Sequence, residues 1–531
     1  MEPETGFLSL AEELRVYILS FLSCRDILRC TSVCKALFQT YMSSSELQYI
    51  VEMSGQRLLR VSDTDNGIPV SARLQLLRDK AHAWFKFDVH SFETVLVERP
   101  PQLRQQVVAG GHVYFYNTYT AMIFPILPKL SQQQFQRNWA PGTLCSVPNS
   151  NILDLVMDPA QNLIAAAFIV DNRRVCIKLG ALDSDGVHPQ AAGETLILSD
   201  GPENLPETLH PRLKCFGRHI ALWRRLTNST WGSMDDEWRL QVWDWKHSIT
   251  SSSILCFSYA VVSESKTNAD FLFLGNDRLL VITDNLHLYS IEDMSQAPEL
   301  LAHFLMPFPL RLQCHLPMGD IEHSQAHMQA QTTMYTSDPA HRLICLTAYS
   351  PDASFYYGTQ VFIISTRIFF DLDGMAAATS IRWEHWGPSN VRIFTHPHGS
   401  RVHISGNRVL QALRVPVGSG DSEFILHLMD FSPLAVANSR GLGQVVKEPS
   451  TIEVFTRKTG RRSRRSLTTS MPYVQVVSSN RNLKSTDSNL VDIWIDKDRI
   501  YMLYSVLKPS NFLGKTILRR EPVGRFEVID V

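Results

Sequence analysis

The hydrophobic rhythm of the chain changes once, near residue 85. Before that point apolar residues recur at helical spacing; beyond it they fall in short blocks bounded by Gly, Pro, Asn, Asp or Ser. Leu14, Ile18, Phe21 and Leu22 stand at i, i+4, i+7 and i+8, one face of an α-helix. Ser9 with Glu12 has the spacing of a capping box, in which the hydroxyl accepts from the third helical N–H and the carboxylate reaches back to the cap's own N–H. Ser23 with Asp26 repeats that signal before Ile27 and Leu28. Ser32 is expected to open a third helix carrying Val33, Cys34, Leu37, Phe38 and Tyr41. Helical spacing continues over 46–59 and 71–85, with Asn66-Gly67 and Pro69 breaking the chain between them.

From residue 85 onward the blocks repeat loosely as strand, turn with Asp or Gly, strand, longer loop, strand with a polar end. FLGNDRLLVITDNLHLYSIED and VDIWIDKDRIYMLYSV are clear examples, and 107–115, 163–170, 218–223 and 424–429 read as strands. About 440 residues at about 50 to 60 per unit predict a β-propeller of six to eight blades, in which radial repetition shelters strand edges. A pair of β-sandwiches is the architectural alternative. VWDW at 242–245 is similar to the strand end of WD repeats, and the last strand, 525–531, is expected to close the ring beside an early one. The predicted class is thus α+β multidomain: a small helical module over 6–50, a helical linker over 51–85, and a large all-β domain over 86–531.

Three helices of about ten residues each expose too much surface to close a core alone. Their apolar residues lie on more than one side, so either a partner completes the surface or the helices cap the rest of the chain. Leu10, Glu13, Leu14, Ile18, Leu19, Leu22, Asp26, Ile27, Leu28, Val33, Cys34 and Lys35 stand in the order, without gaps, of the family pattern L-P-x-E-[LI], I-[LF]-x-x-L, an acid before two aliphatics, V-C-K-x-W. The stretch resembles an F-box, the helical module that docks on the Skp-type adaptor of cullin–RING ubiquitin ligases. Two departures stand out: Ala11 replaces the usual Pro, losing a rigid helix start, and Leu37 stands where Trp is usual. The resemblance covers less than a tenth of the chain.

This resemblance implies that Leu10, Ala11, Leu14, Ile18, Leu19, Leu22, Ile27, Leu28, Val33, Cys34 and Leu37 bind the adaptor, and through it a cullin. It implies a substrate-recognition subunit that is not itself an enzyme, with an unknown protein target held on the β domain and catalysis left to proximity. The layout is similar to a family of F-box proteins abundant in mushroom-forming fungi. Two alternatives stand beside it: an adaptor-bound interaction scaffold without a ubiquitylation role, and a hydrolase built on the propeller.

Composition narrows the rest. A 531-residue chain of 44% hydrophobic and 10% aromatic residues is globular, and a net charge of -1 gives no global bias toward nucleic acid or anionic membrane. No apolar run approaches the roughly 18 residues of a membrane span. Glu2 and Glu4 stand where a signal peptide needs basic residues, and nine cysteines without a CxxC pair suit a reduced compartment, so a cytoplasmic or nuclear location is expected. No cofactor or metal is expected. Cys314, His315, His323 and His327 lack the Glu of HExxH, Asp371 and Asp373 lack further calcium ligands, and no GxSxG occurs. The tryptophans between Trp223 and Trp245 read as packed strand residues. The basic run Arg457, Lys458, Arg461, Arg462, Arg464 and Arg465 reads as a solvated loop, with an import signal or acidic-partner patch as the sharper alternative.

Overall fold

The structure is a computed structural model. It describes residues 6–531 except 61–66, 87–90, 99–102, 104, 128–133, 141–142, 145–149, 171–173, 200–206, 229–234, 260–268, 308–310, 316–334, 350–358, 373–378, 398, 417–421, 438–440, 459–460, 479–487 and 513–514. Five helices come first: α1 (Glu12–Ser20), α2 (Cys24–Val33), α3 (Lys35–Ser43), α4 (Ser45–Gly55) and α5 (Val70–Ala83).

Two helix starts differ from the sequence expectation. Ser9 lies in a short 3-10 turn, where its hydroxyl donates to the Gly6 carbonyl at 2.6 Å, so α1 begins behind Ala11 without a side-chain cap. Glu12 accepts from Ser43 on α3 instead. Ser32 does not open a helix either. It completes α2, its hydroxyl donating to the Arg29 carbonyl at 2.7 Å, and the break falls at Cys34, whose extended backbone separates α2 from α3. The Ser23 start forms as expected: its hydroxyl oxygen accepts from the Asp26 amide at 3.2 Å.

Seven sheets, antiparallel but for one parallel strand in blade 4, form the blades of a β-propeller, inside the expected range. Blade 1 starts at Gln105–Ala109, blade 2 at Ser150–Asp158, blade 3 at Glu207–Phe216 and blade 4 at Asp270–Phe273. Blade 5 starts at Arg311–His315, blade 6 at Arg401–Ser405 and blade 7 at Ser488–Ile495. The first strands of blades 2 to 5 approach one another in turn, as do those of blades 6 and 7, which marks them as inner strands. The stretch read as one strand over 107–115 is a hairpin. Gly110 and Gly111 both take positive φ (55° and 72°), the geometry of a two-residue hairpin turn, so Gln105–Ala109 folds back on His112–Tyr116.

Closure is by both ends of the sheet domain. The last strand, Lys515–Asp530, pairs with Glu93–Glu98, register Glu93↔Val528 to Glu98↔Val523, so the earliest strand becomes the outer edge of blade 7. An apolar seam fills every gap between adjacent blades, such as Trp223, Trp238 and Phe271 between blades 3 and 4. Trp243 and Trp245 of the VWDW stretch are fully buried, and Trp245 Nε1 donates to the Gly217 carbonyl at 3.1 Å. They are core residues, as read.

The helices are fastened to this ring at several points. Trp84, just past α5, is buried in the seam between blades 6 and 7 beneath the Arg408 guanidinium, 4.7 Å from its ring. Lys80 on α5 pairs with Asp498, and Leu58–Arg60 pairs antiparallel with Tyr335–Ser337. No helix among the described residues is long and apolar enough to cross a membrane.

Candidate docking surface

The core of the helical unit is small. Leu19 of α1, Ile27 of α2, and Leu47 and Val51 of α4 are buried together, with Val16, Leu22, Cys30 and Tyr41 packed partly against them. This uses only one side of α1 and α2. On the other side of α1, Leu14, Tyr17, Ile18 and Phe21 fall at i, i+3, i+4 and i+7 and face solvent; Tyr17 is 62% and Phe21 71% exposed. The two rings meet edge to face at 4.9 Å, which holds them in one arrangement. Leu28 and Val33 of α2 and Phe38 and Met42 of α3 are also exposed. Among the described residues, ten of the nineteen large exposed apolar side chains lie before residue 43. Such crowding makes this a candidate interaction surface, since single exposed apolar residues are ordinary and clusters are not.

The eleven residues expected to bind an adaptor therefore divide. Ala11, Leu14, Ile18, Leu28 and Val33 are exposed, Leu10, Leu22 and Cys34 half-buried, and Leu19, Ile27 and Leu37 buried in the chain's own core. Those last three support the surface and cannot touch a partner without unfolding it. Sequence reasoning missed Tyr17, Phe38 and Met42 as surface residues, although Tyr17 carries the spacing signal by standing three residues after Leu14. Polar groups set the rim. The exposed Asp26 carboxyl is held below its ordinary pKa by the Ser23 hydroxyl first and by Arg29, 3.3 Å away, after that.

Chemistry elsewhere is of two kinds. Near the propeller axis, burial raises the Asp154 carboxyl, while hydrogen bonds from the Tyr116 hydroxyl and the Leu213 amide (2.6 Å) act against the rise. In blade 4, Thr283 Oγ1 lies 3.1 Å from His287 Nε2, and the His287 ring stacks on His303 at 4.4 Å. Burial first, then the neighbouring His303, brings His287 down to about 4, so it is a neutral base. Among the described residues neither imidazole pairs with a carboxylate that would orient it. No group of three or more His, Cys, Asp or Glu among them is placed to hold a metal ion; His323 and His327 lie outside the described residues. The basic run lies on a two-stranded ribbon, Ser450–Lys458 with Arg461–Thr469, whose side chains from 455 to 464 are likewise outside.

No family model and no curated protein matches the chain. Its fold is similar to an acylaminoacyl peptidase of Pyrococcus horikoshii, at 9% identity over 79% of this chain and 52% of that one, TM-score 0.34. It is also similar to oligopeptidase B of Leishmania major (8%, covering 84% and 60%, TM-score 0.34) and to the β-propeller domain of the Trilobed protease of Pyrococcus furiosus (8%, covering 60% and 86%, TM-score 0.25). The chain spans about half the length of the first of these structures.

These comparisons correct two expectations. The ubiquitin-ligase substrate receptor and the chain without enzyme activity both came from the F-box resemblance; no family model and no curated protein of that kind matches, and the solved structures named above are two peptidases and the propeller domain of a protease. Physically, helical spacing specifies an amphipathic surface. It does not specify what becomes of the protein that binds there. Neither expectation is carried further.

Proposed function

We propose that the chain is a protein-interaction scaffold whose first three helices dock a Skp-type adaptor, while the propeller presents a second surface to another protein. The observation that carries this reading is the unburied stripe Leu14, Tyr17, Ile18 and Phe21, backed by a core that does not need it. Burying that stripe is worth roughly 25 cal/mol per Å² of apolar surface, enough for specific association when several such side chains are covered at once. An intracellular site, cytoplasmic or nuclear, belongs to the same reading. The test is binding of purified adaptor to the full chain, with Leu14→Asp/Ile18→Asp as the surface variant.

A second reading, a hydrolase built on the propeller, draws on the Thr283–His287 contact, a hydroxyl within reach of a neutral base. Labelling by a fluorophosphonate probe that Thr283→Val abolishes would support it. No labelling removes it.

A further inference from the structure

Apolar seams run between blades all the way round the ring, but the polar fasteners divide it in two. Blades 1 to 4 are joined to one another directly, through their inner strands. The Tyr116 hydroxyl of blade 1 lies between Gln105 Oε1, at 2.9 Å, and the Asp154 carboxylate of blade 2. Asp154 in turn accepts from the Leu213 amide of blade 3 at 2.6 Å. Arg212 and Lys214 of blade 3 donate to Asp270 of blade 4. Gln105, Asp154, Arg212 and Asp270 hold one repeated position. Each stands four residues before the one that closes its blade's first hairpin turn: Ala109, Asp158, Phe216 and Leu274. Each of these inner strands therefore offers a polar group where its neighbour can reach it. The residues at that position in blades 6 and 7, Arg401 and Asp492, stand 3.9 Å apart, beyond hydrogen-bond reach.

In blades 5 to 7 the fastening comes from the helical unit. The Asp338 amide, in the connection between the first two strands of blade 5, donates to the Arg57 carbonyl at 3.0 Å. Tyr335–Ser337 of the same connection pairs with Leu58–Arg60. In the first turn of blade 6, Asn407 Nδ2 donates to the Gln56 carbonyl at 3.5 Å, and Arg408 beside it covers Trp84 in the seam to blade 7. Lys80 joins two blades at once: its ammonium pairs with Asp498 in the first turn of blade 7 and lies 5.5 Å from the Tyr335 ring. From Trp84 the chain runs on to Glu93–Glu98, the strand that pairs with Lys515–Asp530. One N-terminal segment thus grips three consecutive blades and closes the ring at its edge.

We infer that the helical unit is a clamp, whose release loosens blades 5 to 7 and the closing strand while blades 1 to 4 keep their own fastening. Regions of a folded protein open separately when different contacts hold them. A protein on the helices and one on blades 5 to 7 would then change each other's affinity by the same factor; that consequence, unlike the clamp itself, rests on the scaffold reading. The experiment is hydrogen exchange of the full chain, read by mass spectrometry on peptides from every blade. Lys80→Gln should speed exchange at least tenfold over 93–98, 496–505 and 523–530, and leave blades 1 to 4 at the original rate. Trp84→Ala should extend the effect to 408–416, and Lys80→Gln decides the matter if Trp84→Ala disturbs the whole fold. Tyr116→Phe is the reciprocal variant: it should speed exchange in blades 1 and 2 and leave α4, α5 and blades 5 to 7 unchanged. Acceleration spread evenly over all seven blades, acceleration confined to the helices, or none in Lys80→Gln would overturn the inference.

Discussion

Asp270 is the first residue of the inner strand of blade 4, and its carboxylate ties that blade to blade 3. It is 1% exposed. Lys214 Nζ donates to it at 2.7 Å, Arg212 donates alongside, and its own Oδ1 accepts from the Phe271 amide at 2.8 Å. Asp270→Ala leaves Lys214, itself only 9% exposed, facing a site without its counter-charge. Stripping one partner from a buried pair costs about 3–5 kcal/mol. Two features place this case at the low end: the ammonium still donates to the Phe271 carbonyl and lies 4.9 Å from that residue's ring, and Arg212 is 30% exposed and can turn to water. The expected loss is about 3 kcal/mol. Urea unfolding followed by tryptophan fluorescence reads it directly, because Trp223 and Trp238 lie in the seam between the same two blades. Adding Lys214→Met should restore more than half of the loss, since the stranded charge goes with it. A loss below about 1 kcal/mol, or a double variant no better than the single, would mean that water already screens this pair and that the reasoning fails.

Other outcomes follow from the same structure. Trp84→Ala should cost about 3–5 kcal/mol and loosen the helical unit, read as a lower melting temperature and faster hydrogen exchange in α5, because the ring fills the seam between blades 6 and 7. His219 is fully buried and, among the described residues, has no hydrogen-bond partner on either ring nitrogen; burial followed by the Arg218 charge brings it to about 4 against about 6.5 unfolded. Between those values the unfolded chain binds the extra proton, so stability falls as pH falls through that window, by at most about 1.4 kcal/mol per unit. His219→Phe should stack on Phe273 as the imidazole does and flatten the loss of urea midpoint between pH 7 and 5; an unchanged slope contradicts the argument. Truncation at residue 522 should unfasten blade 7, since it removes the residues that pair with Glu93–Glu98, and a midpoint equal to that of the full chain would refute closure by that strand.

Much of the fold could be read from short-range chemistry. Short apolar blocks bounded by turn residues pointed to the strands, and the buried aromatic run around Trp243 could be told from a ligand groove. What the sequence left open was set by distant partners. The blade count depends on which hairpins share a sheet, and Thr379–Ile381 joins blade 4 in parallel only after blade 5 has formed three of its strands. The Ser9 and Ser32 starts failed for local reasons that spacing does not encode: each hydroxyl donates to a carbonyl three residues back instead of capping an amide. At the docking surface the apolar stripe was legible. Which side of it the chain would bury was not, because Leu19 and Ile27 pack with Leu47 and Val51 of α4 and Leu37 is buried, while Leu14 and Ile18 face solvent.

In the function proposed above, this outward stripe is finished by another protein. Calorimetry of the full chain with a purified Skp-type adaptor tests it most directly. The expected result is saturable one-to-one binding that Leu14→Asp/Ile18→Asp weakens by about a hundredfold or more, about 2.7 kcal/mol, at an unchanged melting temperature. Absence of binding by the unaltered chain, or equal binding by the variant, would contradict it.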